Sequence, residues 1–302
     1  MQYGEILHSI MAAQPEVVAL TAEARAALGA VPKDFPGRFY DLGIAEQNLI
    51  GAAAGMAAMG KIVFVHSPLA TFITMRSFEQ IRTTVAMQGH NVKIPGLLPG
   101  LAAGFQGPTH VALEDIGLMR GIPGVTVMAA ASQEELKEIM DRAVATDGCV
   151  YFQVPPDLPE RLDYCGAPTT FDQPRWLRKG KDGLVISMGF MTPIALKAVD
   201  SLAEKGVRLA LINLCMLDPA PRKALLSIMG GFEKIATVEE HFITGGLGSI
   251  VAEIIADAGL GKRLKRIGVE DVFPDRYTTH EANLQYIGLD AQGIAAKLKR
   301  FF

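Results

Sequence analysis

This 302-residue chain has no long apolar run, no excess of either charge and no paired cysteines. Its longest apolar stretch, Leu49 to Met59, is too short to span a bilayer, so no membrane association is expected. The formal net charge is only −3, and no large Lys/Arg cluster offsets it, which argues against a nucleic-acid surface. The one short basic group, Lys262, Arg263, Lys265 and Arg266, reads as a solvated face. Cys149, Cys165 and Cys215 are odd in number and lack CxxC spacing, so neither a disulfide framework nor a zinc site is indicated. A reducing, cytoplasmic setting is therefore expected. The first residues do not read as a secretory leader.

What the chain does have is apolar residues, 49% of the total, with aromatics at only 7%. Ala, Gly and Met are prominent among the small and flexible side chains, which suits tightly packed α/β layers. The length allows two domains, each with a full core. Periodicity predicts a helix from Tyr3 to Ala13 and strands at Val17 to Leu20 and Ile62 to Val65. A helix from Phe72 to Met87 and a strand from Lys93 to Leu98 follow. Next come a helix containing Leu113, Ile116 and Met119, a strand from Val125 to Met128, a helix from Gln133 to Ala145 and a strand from Val150 to Val154. Such alternation predicts parallel βαβ units. Pro155, Pro156, Pro159, Pro168 and Pro174 then crowd one stretch, which reads as a linker. A second alternation starts at Leu184 and runs to a helix from Gly248 to Asp257. The expectation is two α/β domains with largely parallel sheets, at 1–158 and 183–302, joined by a linker at 159–182.

The chain is organised around Tyr40-Asp41-Leu42-Gly43-Ile44-Ala45-Glu46-Gln47-Asn48. A glycine turn delivers Glu46 to the head of a small-residue helix, LIGAAAGMAAM. A carboxylate against an apolar wall has its charged form disfavoured, which suits proton transfer near neutrality. Glu46 could equally be a helix cap, favoured by the macrodipole.

GIAEQN resembles the transketolase superfamily, in which this Glu contacts the aminopyrimidine ring of thiamine diphosphate. The likeness continues through Ala70-Thr71-Phe72, Arg76-Ser77-Phe78-Glu79-Gln80-Ile81-Arg82 and Asn91-Val92-Lys93-Ile94. It resumes at Gly107-Pro108-Thr109-His110, Ala112-Leu113-Glu114-Asp115, Val238-Glu239-Glu240-His241 and Gly245-Gly246-Leu247-Gly248-Ser249. Running nearly end to end, the match is similar to the C-terminal subunit of a split transketolase. It implies a pyrimidine-binding domain followed by a transketolase C-terminal domain.

The resemblance implies Glu46 and His110 as catalytic groups, with His110 facing the substrate. It implies Phe72 as the aromatic packed on the aminopyrimidine, although on a helix Phe72 could be plain core. Phe78 is expected to help line that pocket. Arg76, between them, is expected at the cofactor or else as a surface ion-pair partner. Gln106, which stands where the family has an acidic residue, and His66, at the end of a parallel strand, complete the expected substrate side. The Gly245–Ser249 run reads as a tight turn. No metal site is expected at Glu239-Glu240-His241, because consecutive strand residues point to opposite sides.

Two departures shape the expected function. Leu97-Leu98-Pro99-Gly100, Gln153-Val154-Pro155-Pro156-Asp157 and Thr21-Ala22-Glu23-Ala24 stand where the family carries a His, an Arg, and an Asp with a Ser, of which the His, Arg and Ser bind a sugar phosphate. Charge-assisted donors are what phosphate recognition needs, so an atypical small-molecule substrate is expected. The family's Gly-Asp-Gly motif for diphosphate and magnesium is also missing. An N-terminal partner subunit is expected to hold the diphosphate and Mg2+, in an α2β2 assembly. The expected reaction is transfer of a two-carbon ketol unit from a ketose-type donor to an aldehyde. The rivals are acyloin formation from a 2-oxo acid, as in deoxyxylulose phosphate synthase or the beta subunit of 2-oxo acid dehydrogenases, and a non-catalytic scaffold.

Overall fold

The computed structural model describes residues 3–166, 170–270 and 272–302; Pro168, within the expected linker, lies outside the described residues. The first half supplies strands β1 (Val17–Thr21), β2 (Phe39–Asp41), β3 (Ile62–His66), β4 (Val92–Leu97), β5 (Val125–Ala129) and β6 (Cys149–Val154). The second supplies β7 (Arg175–Arg178), β8 (Gly183–Ser187), β9 (Leu209–Asn213), β10 (Met216–Asp218), β11 (Lys234–Phe242) and β12 (Arg263–Val269). They form a seven-stranded sheet in the order β10-β5-β6-β4-β3-β1-β2 and a five-stranded sheet in the order β12-β11-β8-β9-β7. The protein is thus two α/β domains with mostly parallel sheets. Every residue of β1, β4, β6, β8 and β9 is buried, as expected for strands covered by helices on both faces.

The Tyr3–Ala13 helix shows how pattern becomes packing. Tyr3, Ile6, Leu7, Ile10 and Met11 recur every three or four residues and form its buried stripe. Burying each large apolar side chain contributes roughly 1.5–3 kcal/mol before entropy is counted. That stripe joins a core cluster with Val17, Phe64, Met140 and Phe152 on one face of the first sheet. On the other face, a larger cluster runs from Leu49, Ile73 and Ile116 into Leu184, Ile212 and Ile250 of the second half. The two domains therefore share apolar packing.

Several elements depart from the sequence expectation. The Phe72 to Met87 helix is wound as π turns at Phe72–Arg76 and Ile81–Ala86, with a short α turn at Phe78–Gln80 between them. Hydroxyls explain the loosening. Thr74, Thr83 and Thr84 donate to the carbonyls four residues back, at 2.7, 2.7 and 2.6 Å, and so compete with the backbone ladder. The next helix is Asp115–Arg120, so Leu113 precedes it. The 159–182 stretch is more than a connection, because β7 lies within it and pairs antiparallel with β9. Likewise β10 crosses over to pair antiparallel with β5 of the first sheet. The basic group at 262–266 leads into edge strand β12, where exposed Arg263 and Lys265 alternate with half-buried neighbours. Two further helices close the chain. Thr279 caps His280–Tyr286 and Asp290 caps Ala291–Phe301. No helix among the described residues is long and apolar enough to cross a membrane.

Candidate active site

The turn that presents Glu46 is built by its own residues. Gly43 adopts φ 71°, a left-handed conformation open to glycine without strain. The Asp41 carboxylate accepts from Gly43 N at 3.0 Å and from Arg25 Nε at 2.6 Å. Although burial pushes the Asp41 carboxyl up, Arg25 and the backbone donors of Gly43 and Glu23 outweigh it and hold the pKa down. Leu42 N also donates to Thr21 O, at 2.9 Å, tying the turn to the carboxyl end of β1. Glu46 then opens the Glu46–Ala58 helix, with no side-chain cap on its N-terminus.

Glu46 is only 4% exposed. Leu49, Ile50, Ala53 and Ala54 form the buried face of its helix, as the apolar pattern implies. Its carboxylate, however, meets polar groups. Oε1 accepts from Arg76 at 2.8 Å and from Ser67 Oγ at 3.4 Å. The apolar wall expected behind Glu46 is present, and these two polar partners stand beside it. Ser67 follows β3 directly, and no feature of the sequence singles it out.

Arg76 touches a second expected site residue. Its guanidinium carbon lies 3.7 Å from the centroid of Phe72. The other neighbour of Phe72 is His110, edge-on, with ring centroids 5.3 Å apart at 67°. His110 Nδ1 shares a 2.9 Å hydrogen bond with Thr109 Oγ1, while Nε2 has no hydrogen-bond partner among the described residues. Glu46, Phe72, Arg76 and His110 thus gather where the loops after β2, β3 and β4 leave the carboxyl ends of the strands, the usual ligand edge of a parallel sheet.

The remaining expected residues fare differently. Phe78 packs against the large core cluster, and no ring contact joins it to Phe72. Gln106 is exposed on the turn before Gly107, close to His110 in sequence. His66 is a correction. It is fully buried, its Nδ1 donates to Leu20 O at 2.9 Å, and its Nε2 takes a 2.7 Å bond from Tyr3 OH. Both ring nitrogens are spent inside the core, and burial lowers its pKa to about 4.

The loop bearing His110 is held by the second domain. Gly100, at φ 63°, forms an antiparallel bridge with Ala112, and the Glu240 carboxylate fills the space a Cβ would take. Glu240 Oε1 accepts from Leu101 N at 2.7 Å and from His280 Nε2 at 2.6 Å. Phe190 stacks on His280 at 4.6 Å. Burial alone would lower the His280 pKa, but Glu240, with a smaller push from Asp157, raises it. Glu239, one residue earlier, turns the opposite way and accepts from Gly248 N at 2.8 Å. The period-two rule foresaw that divergence; the reach of Glu240 across the domain boundary had no signal in the sequence.

The family of transketolase pyrimidine-binding domains matches residues 1–158, and that of transketolase C-terminal domains matches residues 173–294. The chain belongs to the transketolase family. It is similar to the 6-deoxy-6-sulfo-D-fructose transketolase subunit of Clostridium sp. (strain MSTE9), with 35% identity over 90% of this chain and 84% of that protein. It is also similar to an apulose-4-phosphate transketolase subunit of Actinobacillus succinogenes, with 36% identity over 87% of this chain and 84% of that protein. A solved structure of a split gene transketolase, an inactive beta4 tetramer, matches with TM-score 0.88 and 32% identity, covering 99% of this chain and 96% of that one. This transketolase-family chain is therefore a subunit of a thiamine diphosphate-dependent transferase type. Its residues suit the aminopyrimidine end of that cofactor, offering a buried carboxylate beside an aromatic ring. Among the described residues no group of three His, Cys, Asp or Glu could hold a metal ion.

Proposed function

We propose that this chain contributes the pyrimidine half of a transketolase site completed by an N-terminal partner subunit. The observation that carries the reading is the meeting of Glu46, Phe72 and His110 at one edge of the first sheet. Residues 1–158 act as the pyrimidine-binding domain and 183–302 as the C-terminal domain, with 159–182 joining them and lending β7 to the second sheet. The partner supplies the diphosphate and Mg2+ ligands, which this chain lacks as Gly-Asp-Gly. An α2β2 heterotetramer in the cytoplasm is the assembly this division of labour implies.

When bound, thiamine diphosphate supplies the nucleophilic carbon and the electron sink for moving a two-carbon ketol unit. Glu46, only 4% exposed, would hold a proton toward a nitrogen of the cofactor's pyrimidine ring, where its burial would strengthen the contact. Phe72 supplies an aromatic wall worth about 0.5–1.5 kcal/mol beyond area burial. His110 Nε2 is placed to hydrogen-bond a substrate hydroxyl and to move its proton at neutral pH. Arg76 borders this group by direct contact, while Phe78 supports its segment from the core and Gln106 lies exposed on the His110 loop.

The substrate is not an ordinary pentose or hexose phosphate. The cation nearest the substituted Thr21-to-Ala24 segment, Arg25, is tied to Asp41 at 2.6 Å rather than held ready for a phosphate. A relative whose name specifies a sulfonated ketose is consistent with such divergence.

The test is to co-purify the chain with a transketolase N-terminal subunit and titrate thiamine diphosphate and Mg2+. Tight binding by the complex and none by the isolated chain is expected, with ketol transfer lost in Glu46→Ala. A Glu46→Ala complex as active as the wild type would overturn the catalytic assignment. Efficient, saturable turnover of xylulose 5-phosphate or fructose 6-phosphate would overturn the substrate reading.

A further inference from the structure

A second candidate site lies on the other sheet. Edge strand β12 and the Ala291–Phe301 helix enclose a cleft of about 470 Å³, lined by Lys265, Arg266, Gly268, Glu270, Lys297 and Arg300. Three of its cations, Lys265, Lys297 and Arg300, form no ion pair among the described residues. The fourth, Arg266, is engaged elsewhere, donating to Ile243 O at 2.8 Å. Glu270 is the one carboxylate among the described lining residues, and it is exposed.

Ordinary structural roles account for part of this set. A lysine on an edge strand discourages pairing with another chain. A cation in the last turn of a helix answers the negative end of its dipole, which covers Lys299 and Arg300. Neither role explains Lys297. It sits one turn earlier, half-buried, with a single 3.3 Å hydrogen bond to Ile287 O. Burial lowers its pKa; the nearby Glu270 carboxylate opposes that most, Lys265 and Arg300 add to the lowering, and Asp290 opposes it least. Lys297 is thus a half-buried ammonium in a cleft whose described lining residues hold three further cations and a single carboxylate, Glu270. β12 is the edge of its sheet, with β11 as its neighbouring strand.

We propose that this cleft binds a small phosphate-bearing anion between Lys265, Lys297 and Arg300. Ammonium and guanidinium donors from two elements line one cleft, the chemistry that a phosphate dianion takes. The site is separate from Glu46 and does not rest on the catalytic reading.

Binding is measured on the whole chain by 31P NMR and thermal melting at constant ionic strength. The probes are inorganic phosphate and fructose 6-phosphate, with fructose and KCl as controls. The expected result is saturable binding of both phosphates, neither control acting, and at least tenfold weaker affinity in Lys265→Gln/Lys297→Met. If that double variant does not fold, Arg300→Gln, at an exposed position, should show the same loss in smaller degree. Phosphate behaving like KCl would overturn the proposal. So would affinity unchanged in these variants but abolished by His110→Ala, which would place the phosphate at the first sheet.

Discussion

Arg76 lies 3.7 Å over the Phe72 ring and at the same time donates to Glu46 at 2.8 Å. One side chain thus covers both groups that a cofactor ring would use, the aromatic face and the carboxylate. The π turn at Phe72–Arg76 carries both residues, placing the guanidinium over the ring four positions before it. Because the Arg76 side chain is 47% exposed, its ion pair is partly screened and easily released.

Removing Arg76 should therefore ease cofactor entry. In the complex with the N-terminal subunit, Arg76→Ala is expected to bind thiamine diphosphate a few-fold more tightly. The cation–π contact it no longer gives up is worth roughly 0.5–1 kcal/mol at an exposed position. Calorimetric titration decides the matter; weaker binding would mean that Arg76 holds the cofactor instead of covering its place.

Glu46→Gln keeps the size of the side chain and removes its charge. Ketol transfer should fall by about 10²–10⁴, the usual worth of a positioned proton-transfer group. Circular dichroism and partner binding should remain unchanged, which separates lost chemistry from lost structure. His110→Ala should raise KM and lower kcat while leaving thiamine diphosphate affinity within a few-fold of wild type.

The His280–Glu240 pair makes stability depend on pH. Its folded-state pKa is raised above the ordinary 6.5, so its contribution is complete below that value. Stability should decline as pH rises from about 6.5 through the raised value, with a slope of at most about 1.4 kcal/mol per pH unit. Urea denaturation across that range should show the decline in the wild type and a flatter profile in Glu240→Gln. Since Glu240 also binds Leu101 N, the variant should loosen the His110 loop, seen as faster amide exchange at Leu101.

Gly51 and Gly55 sit on the exposed face of the Glu46–Ala58 helix, with open space where a Cβ would go. Gly51→Ala should stabilise the isolated chain by roughly 0.5–1 kcal/mol through helix propensity. Gly51→Trp should leave the isolated chain folded and abolish co-purification with the N-terminal subunit, if that face receives the partner. Intact assembly by the Trp variant would place the interface elsewhere.

The sequence alone determined the alternation of strands and helices, because the continuous apolar runs of strands buried on both faces and the three-to-four-residue spacing of amphipathic helices both survive without tertiary information. It also marked Glu46, Phe72 and His110, whose surrounding motifs are contiguous. It could not disclose contacts that join distant segments. His66 ends a strand like a ligand residue, yet Tyr3, from a helix far back in the chain, closes its second nitrogen. Arg76 on Glu46, and His280 with Glu240 beneath the His110 loop, likewise depend on how separate elements meet. β7 and β10 are short and become strands through the neighbours they pair with, β9 and β5. Local pattern carries periodicity, whereas hydrogen-bond partners and charge pairs are settled only when packing brings remote residues within a few ångströms.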